Sequence, residues 1–191
     1  MREIASEAGM QAGNLYYYFA SKQDLLAFCQ KDGLEGLLEL ASWVESLDLS
    51  ADEKLYLLIL GHVRRVNEET PGSVAHLEIE SLDPEWRDEI VPQRDLYQRT
   101  IQRLVREGVG AGIFRSTDAK TAALAILGSV NWTVKWYRPD GDHSAAEIGR
   151  SFAELLVRGL LAKDVPFRAP AIEPLSVDTP ATTRCGAEDE S

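Results

Sequence analysis

Apolar residues along this chain recur at every third or fourth position and nowhere at every second one, which confines the fold to packed helices. From Lys22 to Ser46, the residues Leu25, Cys29, Leu37, Leu40, Ala41 and Val44 form one helical stripe. Gly33 and Gly36 interrupt it at about 1 kcal/mol each relative to Ala, so a bend or a close packing contact is expected there. Ser50-Ala51-Asp52-Glu53 and Ser144-Ala145-Ala146-Glu147 are capping boxes, in which a hydroxyl and a carboxylate satisfy the free amides of a helix start. The first box predicts a helix over 50–70, stopped by Pro71-Gly72. A shorter segment, 73–81, leads through Asp83-Pro84 into a long helix. That helix shows Ile90, Tyr97, Ile101, Leu104 and Val105 on one face and ends at Gly108, Gly110 and Gly112. Residues 118–137 are apolar almost all round, so a helix there must be covered on more than one side. Pro139-Asp140-Gly141 ends it, and the last helix carries Ile148, Phe152, Leu155, Leu156, Gly159 and Leu160. With no alternating β-branched run and no repeat, the expected fold class is all-α.

Charge and cysteine usage narrow the function. The net charge of −11 argues against nonspecific nucleic-acid binding by the chain as a whole. Residues 1–31 are an exception, with Arg2, Lys22 and Lys31 balancing Glu3, Glu7 and Asp24. Residues 165–191 are rich in proline (166, 170, 174 and 180) and in carboxylates (Glu173, Asp178, Glu188, Asp189 and Glu190), and read as a disordered acidic tail. The longest uncharged apolar run, 121–134, is too short to span a bilayer, so no membrane partner is expected. Cys29 and Cys185 stand far apart in unlike contexts, which points to a reducing cytoplasm rather than a disulfide framework.

Near the amino terminus, Arg2 to Ala8 is amphipathic, and Gly9 permits the left-handed residue of a sharp corner. Beyond it, 11–17 holds only about two helical turns. Helix, glycine turn, short helix is a helix-turn-helix unit, whose second helix enters a major groove. Ala12 and Gly13 are small enough for close backbone approach. Asn14 can offer an amide to a base edge, while Tyr16 and Tyr18 can donate hydroxyls to phosphates and Lys22 can pair with one. Leu15 and Phe19 read as core of the same unit.

The stretch MREIASEAGMQAGNLYYYFASKQDLL resembles the amino-terminal signature of the tetracycline-repressor (TetR) family of bacterial transcriptional regulators, with R-E-I-A, A-G, G-x-L-Y, F and S-K-x-x-L-L at matching spacings. The resemblance implies a helix-turn-helix head on a helical ligand-binding, dimerising body. The divisions would be 1–30 for a partial DNA-binding domain, 31–164 for the body and 165–191 for the tail. It further implies a base-reading surface of Gln11, Ala12, Gly13, Asn14 and Tyr17, with Tyr16, Tyr18 and Lys22 on phosphates. Relatives carry a further helix before this motif, whereas the chain opens at Arg2-Glu3-Ile4. Without it, Ile4, Leu15, Phe19 and Leu26 lose cover worth roughly 1.5–3 kcal/mol per Leu-sized side chain. The expectation is therefore a start upstream, with Met1 internal. The alternative is a dimeric ligand-sensing or interaction module whose truncated head no longer binds DNA.

The body is expected to bind a small hydrophobic effector among Trp86, Tyr97, Trp132 and Trp136. The segment NWTVKWYRPDG, 131–141, resembles one in regulators that answer to acyl-coenzyme A thioesters. This implies that Lys135 and Arg138 pair with coenzyme A phosphates and that an apolar cavity takes the acyl chain. A drug-like or aromatic effector remains the competing reading. The two last helices are expected to pair two copies as a four-helix bundle, with an intramolecular core as the alternative. Operator DNA, a second copy and the effector are thus the expected partners, the effector lifting repression. No cofactor, metal site or catalytic residue is expected. His62, His76 and His143 are scattered, His76-Leu77-Glu78 has spacing that points its ends to different faces, and no nucleophile or phosphate-loop motif occurs.

Overall fold

α1 (Arg2–Glu7) and α2 (Ala12–Tyr18) meet at a sharp corner made by Gly9, whose φ of +65° no side chain adopts cheaply. The computed structural model describes residues 1–7, 9, 11–69 and 78–174. α3 (Lys22–Ser46) begins at a capping box in which Ser21 Oγ accepts from the Asp24 amide at 3.1 Å and the Ser21 amide donates to Asp24 Oδ2 at 2.9 Å. Its 25 residues run from the head into the body. Gly36 serves packing, because a Cβ there would stand 2.6 Å from Arg65 Nη1.

α4 (Ala51–Arg64) is the centre of the molecule, packed by α3, by α5 (Pro84–Gly110), by α6 (Ala119–Asn131) and by α7 (Ala145–Leu160). Leu55, Leu57, Leu58, Ile59, Leu60 and Val63 are buried on every side of it. Ser50 opens α4 by donating its amide and hydroxyl to Glu53 Oε2 at 3.0 and 2.6 Å. The helix does not continue as α to residue 70. Arg65–Glu69 widens into a π turn, because Asn67 Nδ2 takes the Val63 carbonyl at 2.8 Å and pulls that acceptor out of the regular ladder.

A 3₁₀ turn, Ile79–Ser81, leads into α5, whose first residue is Pro84. At its far end the Ile113 and Phe114 amides fold back onto the Gly108 carbonyl at 2.9 and 3.0 Å. α6 is capped by Asp118, which accepts from the Thr121 amide at 2.7 Å. It is shorter than the predicted 118–137. From Trp132 to Lys135 the chain tightens to 3₁₀, where Thr133 Oγ1 donates to the Val130 carbonyl at 2.7 Å and accepts from Asn67 Nδ2 at 2.8 Å.

α7 starts at the Ser144–Glu147 capping box and lies so close to α4 that a Cβ on Gly149 would sit 3.0 Å from the Leu60 carbonyl oxygen. Residues 165–174 then return along α4 and α7, with Phe167 against Tyr56 at 5.7 Å and Arg150 paired to Glu173 at 3.0 Å. Among the described residues the β structure is one isolated bridge, Phe114 with Leu161, and no helix is long and apolar enough to cross a membrane. The Pro71-Gly72 stop, residues 73–77 with His76, and the stretch 175–191 with Cys185 lie outside the described residues.

Candidate nucleic-acid interface and effector cavity

α2 is held from within by Leu15, which is buried, and by Phe19, which packs on Phe28 at 5.3 Å between ring centroids. With that side anchored, Gln11, Gly13, Asn14, Tyr16, Tyr17, Tyr18 and Lys22 are all exposed, Tyr17 to 83%. Ala12 opens the helix. Tyr17 and Tyr18 meet edge to face at 5.1 Å, which stiffens the aromatic surface. No carboxylate occurs between Glu7 and Asp24, so this surface escapes the acidity of the rest of the chain. An amide and three phenols facing outward can donate and accept at base edges and donate to phosphates.

Between α3, α4, α5 and α6 lies a cavity of about 190 Å³. Leu34, Leu37, Ile79, Val91 and Leu127 give it apolar walls, and Arg94, Asp95 and Gln98 contribute polar groups from α5. Three buried or half-buried polar groups also face it. His62 Nε2 stands 2.9 Å from Asn131 Oδ1, and His62 Nδ1 stands 3.0 Å from the Tyr97 hydroxyl. Since Asn131 Oδ1 can only accept, the assigned amide orientation puts the imidazole proton on Nε2, so Nδ1 accepts from Tyr97. Burial drives the Tyr97 hydroxyl far above its ordinary pKa, which keeps it neutral. Burial also holds the Arg94 guanidinium below its usual range, against the opposing pull of Asp95. The Asn131 amide nitrogen and the lone pairs of the Tyr97 hydroxyl have no further hydrogen-bond partner among the described residues.

Of the expected effector residues, the structure puts Tyr97 in this cavity. Trp86 is half-buried on α5, with Lys31 Nζ 4.4 Å from its ring. Trp132 and Trp136 are exposed, as is Lys135. Trp136 stacks on Phe152 at 6.2 Å and joins Arg138 in a separate shallow groove of about 220 Å³ with Tyr137, Asp142 and His143. His62, Asn131, Ile79 and Arg94 were invisible to sequence reasoning. The separations of 35 and 69 residues within the polar triad leave no local signal. Leu124 on α6, Leu155 on α7, and Trp132 and Trp136 in the connection after α6 are exposed, Leu155 to 71%. Among the described residues no group of three His, Cys, Asp or Glu is placed to hold a metal ion.

Residues 48–160 match the family model of the tetracyclin repressor-like carboxy-terminal domain, and residues 1–28 match that of bacterial regulatory proteins of the tetR family. The fatty acid metabolism regulator protein of Bacillus subtilis is 28% identical over 161 residues, 83% of each chain. PfmR, a TetR family transcriptional regulator of Thermus thermophilus, is 31% identical with a TM-score of 0.73, covering 84% of this chain and 88% of that one. AibR, solved in complex with isovaleryl coenzyme A and operator DNA, has a TM-score of 0.69 over 87% of each chain at 24% identity, a likeness of fold. The relatives are regulators rather than enzymes. On the two family matches and the PfmR identity, this chain belongs to the tetR family of bacterial regulatory proteins.

Proposed function

We propose that this protein is a cytoplasmic, ligand-responsive transcriptional repressor that binds operator DNA as a homodimer and is released by an acyl-coenzyme A thioester. The observation that carries the reading is the exposed, carboxylate-free face of α2, on which Asn14, Tyr16 and Tyr17 point away from the core. Two such helices, one per subunit, would reach successive major grooves about 34–36 Å apart. Exposed apolar side chains on α6 and α7 support pairing through a four-helix bundle. The effector site is the cavity at His62. Its aliphatic walls suit an acyl chain, the Asn131 amide suits a thioester carbonyl, and Arg94 suits a phosphate of the coenzyme. Lys135 and Arg138, beyond the end of α6, are the further cations offered to the phosphates. Support for the thioester class comes from AibR, which was solved with isovaleryl coenzyme A, and from the fatty acid regulator of Bacillus subtilis.

The test is fluorescence anisotropy of labelled DNA from the region upstream of the gene, with the full chain and acyl thioesters of increasing length. Wild-type protein should bind, and at least one thioester should weaken binding. Asn14→Ala should lower operator affinity by about tenfold, the loss of a bidentate base contact being worth ~1–3 kcal/mol. Equal affinity of wild type, Asn14→Ala and Tyr17→Ala for the mapped site would remove α2 from the interface and the repressor reading with it.

A further inference from the structure

We infer that Gln23 is the positioning residue that couples occupancy of the His62 cavity to the DNA-reading helix. The inference rests on the repressor reading above and names the contact through which its regulation runs.

Gln23 is the second residue of α3, directly after Lys22, and its side-chain amide is used at both ends. Nε2 donates to the Ser81 carbonyl at 2.8 Å, and Oε1 accepts from the Asp83 amide at 3.1 Å. One side chain thus grips two residues, Ser81 and Asp83, of a segment about sixty positions away, in the way one backbone strand grips another. Two parallel hydrogen bonds from a planar amide fix direction as well as distance.

On one side of this grip lies the cavity. Ile79, two residues before Ser81, forms part of its wall, and Asp83 opens α5, which supplies Val91, Arg94 and Tyr97 to the same wall. The turn is also tied to α5 itself, since Arg87 Nη2 donates to the carbonyls of Leu82 at 2.8 Å and Glu80 at 3.3 Å. Residues 80–83 therefore move with the start of α5. On the other side lies the head. The capping box of Ser21 and Asp24 fixes the first turn of α3, and the Phe19 amide bonds to the Leu15 carbonyl at 3.0 Å, closing α2 directly before it. A ligand that displaces Ile79 outward carries Ser81 and Asp83 with it, and through Gln23 draws the first turn of α3 and the attached α2. Gln23 touches neither the cavity nor the exposed face of α2, so its removal should leave both binding events intact and cut the link between them.

Two arms test this on the full chain. In the first, operator affinity is measured by anisotropy with and without the acyl thioester found active on wild type, and thioester affinity by calorimetry. Gln23→Ala should keep both separate affinities within about threefold of wild type, while the weakening of operator binding by the thioester, of the order of tenfold or more in wild type, falls below about threefold. A Gln23→Ala protein that responds like wild type overturns the inference. The second arm needs no effector. Ile79→Trp crowds the cavity from within and should weaken operator binding about tenfold alone, but by less than about threefold in the Gln23→Ala background. No weakening by Ile79→Trp, or equal weakening in both backgrounds, overturns the coupling role. A wild type that ignores every thioester defeats the effector assignment instead, and this second arm still decides the role of Gln23. Thermal melts of each variant separate a loss of coupling from a loss of fold, because a merely structural contact would lower stability and both affinities together.

Discussion

Gln30 on α3 is fully enclosed, and neither end of its amide has a hydrogen-bond partner among the described residues. A buried amide left unsatisfied costs about 1–3 kcal/mol. Gln30→Leu keeps a similar volume and removes the polar atoms, so urea unfolding should show a gain of about 1–3 kcal/mol; a lower midpoint would mean that Gln30 is satisfied in solution by water. Nothing in the sequence marks Gln30 as buried. The apolar stripe points to Leu25 and Cys29 as the inner face, yet the residues enclosed along the first half of α3 are Ala27, Gln30, Gly33 and Leu34. Leu25 and Cys29 instead line an open groove beside Ile4 and Leu26. The outward residues of α2 were legible, because a short helix anchored by Leu15 and Phe19 can only turn Asn14, Tyr16 and Tyr17 away from the core. The triad of His62, Tyr97 and Asn131 was not, since it assembles only when three distant helices pack.

Helix starts were readable, as were the ends of α3 at Ser46 and α5 at Gly110, whereas the ends of α4 and α6 were not, for a reason that belongs to the elements. Ser21, Asp118 and Ser144 accept from amides three residues on, and Ser50 donates to the Glu53 carboxylate, so local sequence reports the starts. The ends of α4 and α6 depend on Asn67 and Thr133, which bond each other across 66 residues. The end of α5 is a local glycine case, and it carries a prediction. A Cβ on Gly108 would fall 2.2 Å from the ring of the buried Phe114. Gly108→Ala should therefore lose about 1–3 kcal/mol through overpacking, against about 1 kcal/mol gained in helix propensity. A calorimetric melting temperature above wild type would show that the ring yields freely. Pro92, also inside α5, is tolerated because it lies on the exposed side, away from Ile90 and Tyr97.

For the whole molecule, the proposed dimer rests on the exposed apolar side chains of α6 and α7. Leu155→Arg, placed where a four-helix bundle would close, should convert a dimer into a folded monomer in sedimentation experiments. Operator affinity should fall with it by about a hundredfold or more, since two half-sites would no longer be held together. A dimer that survives both Leu155→Arg and Leu124→Glu would place the pairing surface elsewhere.

The backbone approach at Gly149 makes α7 and α4 one rigid base. If two copies join through α7, that base cannot take up motion, and α3 becomes a lever arm standing on it. Its 25 residues make a rod about 37 Å long at ~1.5 Å per residue. A tilt of about 5° at its foot would carry each head ~3 Å sideways, and opposite tilts in two copies would change their separation by ~6 Å, a sizeable misfit against grooves about 34–36 Å apart. Small displacements inside the body are therefore enough to lift both heads out of register.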